Sequence, residues 1–116
     1  MEINNNMEIK ELKRENELLT ATLSGRMDAI TATEFTTQLE SWINEKIKSF
    51  TIDCSQLDYI SSAGLRAILI IAKKVRSDGG ELKLAALQES VQTVFEISGF
   101  NKIIPIFANL HDTSAA

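Results

Sequence analysis

The stretch Phe50-Thr51-Ile52-Asp53-Cys54-Ser55-Gln56-Leu57-Asp58-Tyr59-Ile60-Ser61-Ser62-Ala63-Gly64-Leu65-Arg66-Ala67-Ile68-Leu69 changes its hydrophobic period part-way along. It begins as a β-branched and aromatic run that suits a strand, passes through a short polar connection, and re-enters apolar sequence with helical spacing. Ser61 and Ser62 fall where that helix starts, and a serine there caps the free N–H groups of the first turn. A hydroxyl so placed is also well sited for phosphorylation, because exposed amides and the helix dipole favour negative charge. Gly64 lies inside the first turn, where a helix would prefer alanine by roughly 1 kcal/mol. A close approach of backbone to a neighbour is the reason expected for it.

Upstream, Met7-Glu8-Ile9-Lys10-Glu11-Leu12 alternates weakly as a strand, and Lys13 to Glu17 reads as a charged turn. Leu18 to Leu23 follows as a second strand, with Leu19, Ala21 and Leu23 on one face, so the two form a hairpin. Gly25 ends that strand and Arg26 to Ala29 makes a loop. Thr31 with Glu34 has capping-box spacing, flanked by Ile30 and Phe35 as a hydrophobic staple. Phe35, Leu39, Trp42 or Ile43, and Ile47 then recur as the inner face of an amphipathic helix, with Trp42 read as core or core edge.

Downstream, the helix after the serines carries Leu65, Ile68, Leu69, Ala72 and Val75 on one face and is widened by Ala67, Ile70 and Ile71. That breadth suits a helix wedged between a sheet and another helix, although a partner on its flank is the other reading. Lys73, Lys74 and Arg76 suit its carboxyl end. Asp78-Gly79-Gly80 is a turn, Glu81 to Ala85 a fourth strand, and Glu89 to Ser98 a third helix closed by Gly99. Val91, Val94, Phe95 and Ile97 are its inward candidates. Ile103 to Phe107 is a last strand, kept to an edge by Pro105.

Strands alternating with helices imply crossovers and mainly parallel pairing, with the opening hairpin as the antiparallel exception. The fold class is therefore α/β, a mixed sheet with helices packed on one side. At 116 residues the chain makes one domain, 1–116, in which 1–6 and 109–116 read as loose ends.

Composition narrows the function. A net charge of -4 argues against a nucleic-acid surface, which needs clustered Lys and Arg. The longest apolar run, Ala67 to Ala72, is too short to span a bilayer, and the lone Cys54 has no internal disulfide partner, so a cytoplasmic setting is expected. The single histidine, His111, sits in the tail, which leaves no relay for Ser62 and no partner for Cys54. One histidine and one cysteine give no zinc spacing, and neither a Walker loop nor a dinucleotide fingerprint occurs. The reading is of a protein that is not an enzyme and needs no cofactor.

The run Leu57-Asp58-Tyr59-Ile60-Ser61-Ser62-Ala63-Gly64-Leu65 resembles the signature of STAS domains of the anti-sigma factor antagonist type. Gly25-Arg26-Met27-Asp28 is similar to that family's early glycine-x-x-aspartate turn, and Phe95 to Phe100 to its late helix end. The resemblance covers roughly Glu8 to Phe107. Aligning the glycines puts the family's phospho-accepting serine on Ser62, with Ser61 standing where the family usually has aspartate and so a rival acceptor. It implies a STAS-like fold and a partner switch. The unphosphorylated surface around Asp28, Asp58, Ser61, Ser62, Gly64 and Arg66 binds an anti-sigma factor or serine kinase with a histidine-kinase-like ATP site. Phosphorylation at Ser62 breaks the complex, and a PP2C-type phosphatase restores it. Two alternatives stay open: a constitutive STAS scaffold in a larger signalling or transport complex, and a nucleotide or lipid binder using the helix start as an anion site.

Overall fold

The middle of the molecule is a twelve-residue strand, β3 (Ser49–Ile60), with β2 (Leu18–Met27) on one side and β4 (Leu82–Ala85) on the other, both parallel to it. β1 (Met7–Glu15) adds antiparallel to β2, and the two-residue β5 (Ile106–Phe107) adds parallel to β4, giving the order β1-β2-β3-β4-β5. The computed structural model describes residues 7–114, so the loose end expected at Met1 to Asn6 lies outside the described residues. Three crossovers run through α1 (Thr31–Asn44), α2 (Ser62–Ser77) and α3 (Glu89–Ser98). Since each joins neighbouring parallel strands in the same direction, their common right hand puts all three helices on one face.

That face holds the core. Leu19, Ala21 and Leu23 from β2, Phe50, Ile52 and Cys54 from β3, and Leu84 from β4 meet Phe35 and Leu39 of α1, Ile68 and Ile71 of α2, and Phe95 of α3. Trp42 is buried at the core edge with its ring 6.2 Å from that of Phe50. Helix α2 packs against both the sheet and its neighbour α1, which calls for its apolar breadth, and its basic end is held on two sides. Lys74 pairs with Glu40 of α1 at 3.8 Å, and Arg76 donates to the Ile103 carbonyl at 2.8 Å.

Several elements differ from the sequence expectation. β2 does not stop at Gly25: it passes a register shift there, with Gly25 at φ 92, and pairs on to Met27. β3 likewise absorbs the polar stretch Ser55 to Tyr59, with Gln56, Leu57 and Tyr59 paired to β2 and Ser55 and Asp58 at the register shifts, so the connection to α2 is reduced to Ser61. On α2 the inward residues are Leu65, Ile68, Ile71, Ala72 and Val75, while Leu69 is half-buried and Ile70 exposed. Ile97 is exposed on α3, and Gly99 closes that helix in the left-handed region at φ 80. The last strand is shorter than Ile103 to Phe107 because the 3-10 turn at Phe100–Lys102 is carried on by the Ile103 and Ile104 N–H groups, both of which donate to the Phe100 carbonyl at 2.9 Å, and Pro105 has no N–H to give. Finally, the tail is not loose from Asn109: Leu110–Ser114 forms α4 on the opposite face of the sheet, its Thr113 buried and its Thr113 carbonyl accepting from Lys83 Nζ at 3.4 Å.

Candidate functional site

The site sits at the carboxyl ends of β2 and β3, where two chains leave the sheet side by side. Met27 and Ile60 are the last register pair, and just beyond it the Ser61 N–H donates to the Met27 carbonyl at 2.8 Å. That bond joins the start of α2 to the loop that starts α1.

The loop is built around Asp28. Its Oδ1 accepts from the N–H groups of Ile30 and Thr31, both at 3.0 Å, while Thr31 Oγ1 accepts from the Asp28 N–H at 2.9 Å and donates to the Arg26 carbonyl at 2.7 Å. This is a reciprocal capping box of Asp28 with Thr31, one turn earlier than the expected pair of Thr31 with Glu34. The hydrophobic staple moves with it: Met27 and Ala32 are buried, and Ile30 is left 76% exposed. The bonds from Thr31 and Ile30, aided by the nearby Arg26 charge, hold the Asp28 carboxyl below its ordinary value.

At the start of α2 the two serines divide the work. Ser61, extended at φ -92 and ψ 175, is the N-cap, and its Oγ accepts from the Gly64 N–H at 3.2 Å. Ser62 is the first helical residue, exposed, and takes no part in the cap. Gly64 is buried against the loop: a Cβ there would lie 2.8 Å from both Cβ and the carbonyl oxygen of Met27 and 3.1 Å from Ile60 Cγ1. The close approach expected from sequence is therefore present, and it is what sets α2 against β2. Arg66, one turn on, is exposed.

Asp58 is not in the connection. It lies in β3, exposed, and its Oδ1 accepts from Gln88 Nε2 at 3.3 Å, the same amide that donates to the Ser55 carbonyl at 3.0 Å. Gln88 is the residue before α3, so Asp58 ties the end of β3 to α3 rather than to Asp28. Three features at this end were not read from the sequence. Arg26 lies 4.2 Å over the ring of Tyr59, its register partner, and Ile30, four residues after Arg26, stands out into solvent. Only Ile30 had a sequence signal, since reading Asp28-x-x-Thr31 as the box would have placed it outside the staple.

The STAS domain family matches residues 9–113. The chain belongs to that family, among the anti-sigma factor antagonists. A Bordetella bronchiseptica protein, BtrV, described as a candidate anti-sigma factor antagonist, is 40% identical over 99 residues, covering 85% of this chain and 84% of its own. The anti-sigma-B factor antagonist of Listeria monocytogenes is 31% identical over 104 residues, 90% of each chain. Among solved structures, the Bacillus cell-fate determinant SpoIIAA in its phosphorylated form superposes with a TM-score of 0.73 at 14% identity, over 93% of this STAS domain and 97% of that chain.

Elsewhere the domain offers little chemistry. Cys54 is fully buried, and burial followed by the neighbouring Asp53 charge pushes its thiol up to about 12, so it stays protonated and unreactive. Among the described residues no cluster of His, Cys, Asp and Glu could hold a metal, and no helix is long and apolar enough to cross a membrane.

Proposed function

We propose that this STAS domain is a partner-switching antagonist whose binding surface is the end of the sheet around Ser62. The observation that carries the reading is the division of labour at α2. Ser61 Oγ is committed to the Gly64 N–H, whereas Ser62 is exposed and uncommitted at the first helical position. Ser62 is then the phospho-acceptor, and Ser61 the residue that shapes its backbone. The names of the relatives support an anti-sigma factor as partner, and a serine kinase with a histidine-kinase-like ATP site is the form of it that could carry out the modification.

In the unmodified state Ser62, with Asp28 and Arg66 near it, faces the partner, while buried Gly64 seats the helix beneath it and Asp58 holds Gln88 at the α3 side of the same sheet end. Phosphorylation adds about -1.5 to -2 charges in an interface that must be dehydrated to form. Within this molecule the helix start accommodates that charge; an apolar or acidic partner surface does not. Release follows, and a PP2C-type phosphatase resets the switch. Arg66, exposed one turn beyond Ser62, folds back on the phosphate as an internal clamp on this reading, and an Arg66 variant with an unchanged phosphoserine pKa would remove that role. The reading is tested by incubating wild type, Ser61→Ala and Ser62→Ala with the kinase and ATP and measuring intact mass and fragments. A phosphate on wild type and Ser61→Ala but not on Ser62→Ala is expected; modification of Ser62→Ala at Ser61 would overturn the assignment.

A further inference from the structure

The sheet face opposite α1, α2 and α3 carries a second polar constellation, at the far end from Ser62. Four neighbouring strands each present residues i and i+2 to it: Glu15 and Lys13 from β1, Leu18 and Thr20 from β2, Ser49 and Thr51 from β3, and Glu81 and Lys83 beside and in β4. Ladder register aligns Lys13 with Thr20, Thr20 with Thr51, and Thr51 with Lys83, and one row below aligns Glu15 with Leu18 and Leu18 with Ser49. The result is a basic-ended row of hydroxyls lying against an acidic-ended row. Together with Thr113 of α4 and the edge of Phe50, these residues line a groove of about 300 Å³, at the lower end of the range for small-molecule sites.

The floor is the informative part. Thr20 and Thr51 are 9% and 5% exposed, yet their hydroxyls have no hydrogen-bond partner among the described residues, and neither oxygen is sealed from the groove. Both hydroxyls therefore meet only solvent from the groove and are open to an acceptor or donor that replaces it. Lys83 stays close by: its Nζ reaches the Thr113 carbonyl at 3.4 Å and Glu81 at 4.0 Å, and it lies 5.8 Å from the Phe107 ring.

We infer that this groove binds a small zwitterion, with its anionic group over Thr20 and Thr51 between Lys13 and Lys83 and its cationic group toward Glu15 and Glu81. The ligand exchanges the 4.0 Å contact of Lys83 with Glu81 for one at each of its own ends, and residues two apart on a strand, about 6.6 Å, set the distance between an anion on the hydroxyl row and a cation on the row beside it. An ω-amino acid of about five carbons spans it; an α-amino acid, whose charges are adjacent, does not. A site of this kind would let a metabolite be sensed on the face away from the protein partner.

The test is amide NMR of the full chain titrated with δ-aminovalerate, valerate and pentylammonium separately. The zwitterion is expected to give saturable shifts at Leu18, Thr20, Thr51 and Lys83 at millimolar concentration. Each single-charge analogue should bind at least fivefold more weakly. Thr51→Val keeps the β-branched shape and removes the hydroxyl, and should weaken the zwitterion at least threefold with the rest of the spectrum unchanged. Absence of saturable shifts, equal binding of the three compounds, or shifts centred on Ser62 would each overturn the inference.

Discussion

Replacing Gly64 by alanine sets helix propensity against packing, and the structure says which wins. On propensity alone the variant gains about 1 kcal/mol, since glycine in a helix is that much worse than alanine. The added Cβ, however, meets Met27 Cβ and the Met27 carbonyl oxygen at 2.8 Å, against the 3.5–4.0 Å at which carbon atoms rest. Neither neighbour is the movable end of a side chain, so α2 must back away from β2 by several tenths of an ångström. That movement strains the Ser61 N–H bond to the Met27 carbonyl, itself 2.8 Å long. Overpacking of this kind costs about 1–3 kcal/mol and a weakened backbone bond about 1 kcal/mol more, leaving a net loss of roughly 1–3 kcal/mol. With a urea slope of about 1.5 kcal/mol per molar, the unfolding midpoint should fall by about 0.7–2 M. The assay is urea denaturation followed by circular dichroism, with the slope checked for change. A midpoint equal to or above wild type would mean that propensity dominates and that the close approach is not what requires glycine.

Further outcomes follow from the contacts at the two ends of the sheet. Thr31→Val removes the hydroxyl that serves both the Asp28 N–H and the Arg26 carbonyl, and should cost about 1–3 kcal/mol in urea unfolding, where an ordinary surface substitution stays within about 0.5 kcal/mol. Asp28 has its folded-state pKa lowered, chiefly by the Thr31 N–H, so its contribution is complete above the unfolded value near 3.9 and is lost as pH falls through the folded one. Wild-type stability measured down to pH 2 should therefore lose its advantage over Asp28→Asn below about pH 4, and a constant difference would contradict the assignment. Gly80→Ala should be more damaging than Gly64→Ala, because its Cβ would overlap the Lys48 carbonyl, and failure to accumulate folded protein is the expected readout. If the switch is as proposed, Ser62→Asp should weaken partner binding at least about a hundredfold in titration calorimetry while Ser62→Ala binds normally.

How much of this was legible in the sequence depends on how local each signal is. The alternation of Leu19, Ala21 and Leu23, the helical spacing of Phe35, Leu39 and Trp42, and the glycine stop at Gly99 are local, and each lies where its pattern puts it. The start of α1 was displaced because two overlapping boxes, Asp28 with Thr31 and Thr31 with Glu34, both satisfy the spacing. Burial of Met27 rather than Ile30 decides between them, and that depends on α2 pressing Gly64 into the same place. The length of β3 was hidden for a related reason. Register shifts between Thr22 and Ser24 and between Gly25 and Arg26 break the alternation, so the stretch Ser55 to Tyr59 has a loop's composition but a strand's ladder. The Arg26–Tyr59 stack and the opposite-face groove are register effects across strands distant in sequence, and no spacing within one segment carries them.

On the proposed reading, the switch works through charge rather than refolding, for reasons found in the cap. A modification that rearranged the loop would have to break the Ser61 N–H bond to Met27, the Asp28–Thr31 box, or the Gly64 contact, and these three share atoms of the same few residues. Each reinforces the others, so the surface around Ser62 is stiff. The amides of Ser62 and Ala63, by contrast, belong to the first helical turn and have no acceptor within the helix, and the adjoining Gly64 amide is already satisfied by Ser61 Oγ. A phosphate on Ser62 thus meets open donors and the positive end of the α2 dipole without displacing a bond that holds the loop. What changes is the field presented to a partner, and for a partner that must strip water from this surface a change of about -2 charges is enough to prevent docking. Ser61 as the cap makes the arrangement possible: its neutral hydroxyl holds the turn, and the first turn of α2 carries no acidic residue of its own before the phosphate arrives.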